Sequence, residues 1–220
     1  MPAFTTCFED LPGEIPVFPL AGALLLPHGR LPLNIFEPRY LAMVEDALAG
    51  GRVLGMIQGD PSRPRTERGT AIYGVGCLGR ITSFSETDDG RYLITLSGLL
   101  RFRVQSETEM RRGYRRMAVD YAGFAMDMEP LPAADSLPRA ELLDLLRPYF
   151  RTQGMEVNWE AVEKTPEAML VTTLSMLCPF SPAEKQALLE AADPAARSAM
   201  MVTLMRMALH GDSGEGGLPS

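Results

Sequence analysis

Residues 31–51 read "LPLNIFEPRYLAMVEDALAGG". A short apolar run gives way to Glu37-Pro38-Arg39-Tyr40, then to an amphipathic segment, then to Gly50-Gly51. Pro38 suits the first helical position, where its fixed φ is already helical and its missing N–H would have no partner anyway. Glu37 then sits where a negative charge meets the positive end of the helix dipole, a gain of about 0.3–1 kcal/mol. Leu41, Val44 and Leu48 recur at helical spacing as an expected buried stripe, and the glycine pair ends the helix. The stretch is a strand-to-helix junction. Arg39 and Tyr40 are expected to tie the helix to a neighbouring sheet by hydrogen bonds. Direct ligand contact by Glu37, Arg39 and Tyr40 is the alternative.

The signals around this junction are those of strands. In "EIPVFPLAGALLLP" short apolar runs are punctuated by Pro16, Pro19, Gly22 and Pro27. Proline cannot donate to a ladder, so these strands should be short and lie at edges or bulges. "RVLGMIQ" reads as a buried strand. "TAIYGVGCLGRITSFSE" and "RYLITLSGLLRFRVQSE" form a long hairpin, with Asp89-Gly90 in its turn because glycine accepts positive φ. Alternation puts Tyr92, Ile94 and Leu96 on one face of the return strand. Gly98 should shift the register there, and Gly74, Gly76 and Gly79 mark bulges or close backbone approach. "YRRMAVDYAGFAM" reads as one further strand. Six curved, glycine-kinked strands point to a small barrel-like sheet over residues 1–125.

The character changes near residue 125. Pro130, Pro132 and Pro138 mark 126–137 as a linker. Helices are expected near 138–152, 166–177, 182–191 and 194–209, with a short turn around Trp159, so that 138–210 is helical and 211–220 a disordered tail. Thr165-Pro166-Glu167 and Asp193-Pro194 each place a capping side chain before a proline, and Ser181-Pro182-Ala183-Glu184 is a full capping box. Met200, Met201, Met205 and Met207 crowd the last helix. Methionine fills core gaps and also lines adaptable peptide-binding surfaces, and core packing is the favoured reading.

Most catalytic chemistry is excluded by what the chain lacks. The net charge is −7, which provides no overall electrostatic footprint for nucleic acid. Arg101/Arg103, Arg111-Arg112 and Arg115-Arg116 are flanked by acids and read as solvated faces, as does the acidic pair Asp127/Glu129. No phosphate-cradling loop ends in Gly-Lys, and Lys164 and Lys185 are the only lysines. The glycines of "YGVGCLGR" lie inside a strand and open no helix, so a dinucleotide fingerprint fails on context. His28 sits in a turn and His210 near the end, without serine-hydrolase or metal-ligand spacing. Cys7, Cys77 and Cys178 are far apart, which argues against disulfides and zinc, and the latter two read as core thiols. No cofactor is expected. The opening residues lack a signal-peptide pattern and no run is long enough to span a membrane, which points to the cytoplasm.

"IPVFPLAGALLLPHGRLPLNIFEPRYLAMVEDAL" (15–48), "RVLGMIQ" and "GTAIYGVGCLGRITSFSETDDGRYLITLSGLLRFRVQ" (69–105) together resemble the amino-terminal domain of the Lon protease family, the LON domain. The resemblance implies an α+β fold: a PUA-like, six-stranded pseudo-β-barrel with one helix, followed by a C-terminal helical bundle. It implies recognition of polypeptide substrates with exposed or damaged segments. No Walker motif or protease domain accompanies it in this sequence. The expectation is therefore a non-catalytic protein that binds polypeptide segments or protein partners in quality control, as adaptor or regulator of proteolysis. A Lon-type protease is among the expected partners. A small-molecule or RNA-binding PUA-like module is the alternative. Glu37, Arg39, Tyr40, Met200, Met201 and Met205 are the candidate binding residues.

Overall fold

In the computed structural model, residues 7–131 and 139–211 are described. The chain divides into two compact units, Met1–Pro130 and Leu131–Ser220. Together they make an α+β protein. The segment 132–138, which holds the second half of the expected linker, and residues 212–220 of the tail expected at 211–220 lie outside the described residues, while Gly211 ends the last helix.

The first unit carries six strands: β1 (Glu14–Pro19), β2 (Arg30–Ile35), β3 (Val53–Ile57), β4 (Val75–Glu86), β5 (Tyr92–Glu107) and β6 (Arg115–Asp120). Helix α1 (Pro38–Ala49) joins β2 to β3. The sheet order is β2-β5-β4-β3-β1-β6, with β1 parallel to β3 and a further pairing of β5 with β6. The sheet curls on itself, but among the described residues β2 pairs only with β5, so the six strands do not form one closed barrel. Pro32 is tolerated because β2 is an edge strand.

Two glycines show why this sheet needs its sequence. A Cβ on Gly76 would lie 2.4 Å from Cζ of Phe102. The fully buried Phe102 ring therefore occupies the space that a side chain at 76 would fill, at the centre of a core shared with Ile15, Val17, Leu78, Leu100 and Met117. A Cβ on Gly98 would lie 2.0 Å from the Leu26 carbonyl oxygen. There the loop after β1 crosses β5, with His28 N–H donating to the Gly98 carbonyl and Gly98 N–H to the Gly29 carbonyl. Gly79 pairs with Gly98 and Leu78 with Leu100, so the expected register shift occurs as a bulge that leaves Leu99 unpaired across β4. Leu24, Leu25 and Leu26 are buried without being strand, which corrects the reading of that run as strand-like.

The last strand ends earlier than its sequence implies. After Asp120 the chain turns into a 3₁₀ stretch, Ala122–Met128, instead of continuing as strand. A charge pair ties this stretch to β5. Asp127 accepts from the backbone N–H of Arg101 (2.9 Å), from its Nε (2.8 Å) and from its Nη2 (2.7 Å). Both side chains are more than nine-tenths buried. The Arg101/Asp127 positions are thus an internal bidentate pair, and not solvated faces.

The second unit holds α2 (Arg139–Thr152), α3 (Trp159–Lys164), α4 (Glu167–Leu177), α5 (Pro182–Glu190) and α6 (Pro194–Gly211). Helix α6 packs against α2, α4 and α5 around Leu146, Phe150, Leu174, Leu188, Met201 and Met205. The local signals act largely as read. Ser181 and Glu184 form the reciprocal capping box, and Asp193 accepts from Ala196 N–H at 2.8 Å. Asn158 caps α3, a true helix where a turn was expected. Thr165 does not cap α4: its hydroxyl donates to the Ala161 carbonyl at the end of α3, and Pro166 stands at the α4 N-cap.

Candidate functional site

The junction at 36–40 forms where β2 ends and α1 begins. Glu37 is the N-cap residue in extended conformation and Pro38 opens the helix. The Glu37 carboxylate makes no cap hydrogen bond; it takes Arg39 instead, at 2.9 Å from Nε and 2.7 Å from Nη2. Both side chains are about half exposed, so this pair adds ~0–1 kcal/mol at most. Tyr40 turns inward, its ring 4.2 Å from that of Phe18 on β1, with the Arg39 guanidinium 4.6 Å from its centroid. Burial pushes the Tyr40 hydroxyl above its ordinary value, while Arg39 and Arg115 act in the opposite direction. Tyr40 anchors the helix by ring packing, and Arg39 stays on the surface, which revises the expected hydrogen-bonded tie. The buried face of α1 is also rotated from the expected stripe. It carries Tyr40, Met43, Val44 and Ala47, while Leu41 and Leu48 are only partly covered.

The polar tie of α1 lies at its other end. Asp46 accepts from the Tyr114 hydroxyl at 2.7 Å and from Arg112 Nη1 at 3.0 Å, and Glu45 accepts from Arg112 Nη2 at 2.7 Å. Burial works to raise the Asp46 carboxyl, but the bonds from Tyr114 and Arg112 and the charge of Arg111 outweigh it and hold it below the usual carboxylate range. Burial first, and the bond to Asp46 second, push the Tyr114 hydroxyl up to about 12. Arg112 and Gly113 both have positive φ, 48° and 86°, in a tight turn closed by reciprocal bonds between Arg111 and Tyr114. The left-handed backbone of Arg112 is unfavourable for an L side chain, and in it the guanidinium reaches both Glu45 and Asp46. Arg111-Arg112 is therefore a clamp on α1.

On the other side of the junction the sheet presents apolar side chains to solvent. Phe36 is 62% exposed, Leu93 45% and Phe84 43%. Asn34 stands opposite Leu93 and Ile35 opposite Tyr92, so Phe36 and Leu93 share the outer face as diagonal neighbours. The Arg91 guanidinium lies 6.0 Å from the Phe36 ring. Sequence reasoning did not single out these residues, although the signal was present. Tyr92, Ile94 and Leu96 alternate toward the core, so Leu93 is out of phase, as Phe36 is with Leu33 and Ile35. The methionine candidates fall elsewhere. Met201 and Met205 are completely buried in the helical core and present no surface, and Met200 is half-buried against them. Cys77 and Cys178 are completely buried, and burial pushes the Cys178 thiol up to about 12, so it is a core thiol. Among the described residues, no group of three or more His, Cys, Asp or Glu is placed to hold a metal. No helix there is long and apolar enough to cross a membrane.

A strand-rich unit with this junction, followed by helices, places the chain in a known class. Residues 14–207 match the model of the ATP-dependent protease La (LON) substrate-binding domain, and the chain belongs to that family. It is 29% identical over 199 residues to Lon protease 2 of Sorangium cellulosum, a match covering 87% of this chain and 24% of that protein. It is 28% identical over 96 residues to Lon protease 2 of Myxococcus xanthus, covering 44% of this chain and 12% of that one. The chain thus spans less than a quarter of the length of either relative. Among solved structures, a Lon N-terminal domain protein from Xanthomonas campestris superposes with a TM-score of 0.60 at 26% identity, covering 86% of this chain and 97% of the other. The N-terminal domain of Mycobacterium avium complex Lon protease shares the fold, with a TM-score of 0.58 at 17% identity and coverage of 90% and 98%.

Proposed function

We propose that this protein binds polypeptide segments in the service of proteolysis, without catalysing a reaction itself, and that it works in the cytoplasm as an adaptor or regulator. The observation that carries this reading is the outward pair Phe36–Leu93, beside the Glu37-Pro38-Arg39-Tyr40 junction, in a family described as substrate-binding. Two large apolar side chains, Leu93 on β5 and Phe36 directly after the end of β2, offer a surface to an extended, apolar segment. Exposed Glu37 and Arg39 border it. Tyr40, packed on Phe18, holds the border in place. A PUA-like description of the curled sheet, and a bundle description of α2–α6, belong to the same reading; the β5–β6 pairing and the shared helical core support them.

The test is fluorescence anisotropy with a labelled, unfolded apolar peptide. The double variant Phe36→Ser/Leu93→Ser is expected to bind about tenfold more weakly, with its urea midpoint unchanged because both side chains are already exposed. Wild-type protein that prefers the apolar peptide no more than a polar one of equal length overturns the reading. Peptide-bond or ATP hydrolysis by the purified protein overturns its non-catalytic part.

A further inference from the structure

Two of the cavities in the sheet unit differ in the charges that line them. The larger, of 420 Å³, is lined by Asp10, Glu14 and Asp46 and by Arg80, Arg111 and Arg116. Its charges neutralise one another: Arg116 pairs with Glu14, and Arg111 with Asp46 at 3.1 Å. The smaller, of 130 Å³, lies beside the junction and is lined by Arg39, Arg65, Arg68 and Arg115, with Tyr40 and Thr70 and no carboxylate. It is too small for a drug-sized ligand, which needs about 300 Å³ or more. It suits a single small charged group.

The arginines differ in how they are held. Arg115 is 8% exposed and fixed from behind. Its Nε and Nη2 donate to Glu107 at 2.8 and 2.9 Å, and its Nη1 donates to the Thr70 carbonyl at 2.8 Å. Each terminal nitrogen carries a second N–H that no hydrogen bond among the described residues uses. Arg68 donates from its Nη1 to the Thr108 carbonyl at 3.1 Å, and the same nitrogen lies 4.0 Å from Glu107 Oε1. Arg65 makes no hydrogen bond or ion pair among the described residues. Arg65 precedes, and Arg68 lies within, the tight turn closed by reciprocal backbone bonds between Thr66 and Gly69. Four arginines thus line one small pocket; Glu37 pairs with Arg39, and Glu107 pairs with Arg68 and Arg115 from the adjoining cavity.

We infer that this pocket receives a carboxylate of the bound polypeptide, held in a fork by Arg65, Arg68 and Arg115. Arginine is suited to the task because its planar donors match the two oxygens of a carboxylate. The inference rests on the proposed polypeptide binding and names a chemical feature of what is bound: an apolar segment for Phe36 and Leu93, with a carboxylate for the arginines. Both the chain terminus and an Asp or Glu side chain supply that group.

The experiment uses the full chain and one labelled apolar peptide in three forms: free acid, C-terminal amide, and amide with an internal aspartate. A carboxylate-bearing form is expected to bind about tenfold tighter than the plain amide, with the gap shrinking as salt is raised. A gap for the free acid alone assigns the chain terminus, a gap for the aspartate form alone assigns the side chain, and a gap for both assigns any carboxylate. Arg65→Ala/Arg68→Ala, both exposed positions, is expected to erase the gap. Equal affinity of all three forms, or a gap that survives the double variant, overturns the pocket and leaves the apolar reading standing. Failure of all three forms to bind overturns both. A single-stranded oligonucleotide that displaces the carboxylate peptide at equal concentration overturns the assignment in favour of nucleic acid.

Discussion

The sheet unit and the helical unit hold carboxylates in opposite ways. In the sheet unit, Arg101 meets Asp127 and Arg115 meets Glu107, each through two side-chain hydrogen bonds. In the helical unit Glu167 is completely buried at the first position of α4, and neither carboxylate oxygen has a hydrogen-bond partner among the described residues. Burial raises its carboxyl above the ordinary value, against the opposing charge of Arg139. Paired buried charge in a curled sheet locks the strands in one register and fixes the position of whatever the pair holds. Buried charge without a hydrogen bond does neither, and its ionisation opposes folding. The contrast says where to look for function: the pairs in the sheet fix rigid guanidiniums in place, one of them in the arginine pocket.

The largest effect that would break this contrast is at Asp127. Asp127→Ala leaves the Arg101 guanidinium buried and unpaired and is expected to cost about 3–5 kcal/mol in urea unfolding. A loss as small as that of a surface pair would mean that the sheet's pairs hold nothing. Glu107→Gln is expected to cost less, about 1–2 kcal/mol, because one oxygen remains to accept from Arg115 while the charge is lost. It should also tighten binding of a carboxylate peptide, since the guanidinium charge is no longer balanced from behind. Unchanged or weaker peptide binding counts against Arg115 as part of the pocket.

The smallest effect has the opposite sign. A carboxyl whose folded pKa is raised contributes stability that is present below its unfolded pKa and is lost as pH rises through the folded value. Glu167→Gln removes that loss. The variant is expected to be about 1 kcal/mol more stable than wild type at neutral pH, with the two converging in acid. A variant that is less stable at neutral pH would show that the Glu167 carboxylate is a stabilising charge, and the contrast between the units would fail.

The helical unit was the more legible in sequence. The Ser181–Glu184 capping box and the Asp193 cap act within three residues, so their letters alone carry the geometry. Thr165 was misread because two helices compete for it: its hydroxyl serves the end of α3 before the start of α4. In the sheet, alternation on β5 and the bulge at Gly98 were readable because strand periodicity is local. The candidate site was half legible. Glu37-Pro38-Arg39-Tyr40 was found as a helix entry, but its apolar neighbours Phe36 and Leu93 were passed over although their phase betrayed them. Arg65 and Arg68 carried no signal, because nothing in a run of surface arginines says that two of them will line one pocket with Arg115.

By itself, then, the sequence determined the α+β class, the order of the elements, most helix starts, the hairpin and the resemblance to the LON domain. These depend on periodicity, capping and turn chemistry, which act over a few residues. Only the tertiary structure decided which charges are partners. Arg101 meets Asp127 across 26 positions, Arg115 meets Thr70 across 45, and Arg112 meets Asp46 across 66. Such pairs follow from strand register and sheet curvature, which no local rule supplies. The same curvature seats Phe102 over Gly76 and leaves Phe36 and Leu93 facing solvent. Residues of one chemical kind became core in one place and candidate binding surface in another, according to the side of the sheet on which the register left them.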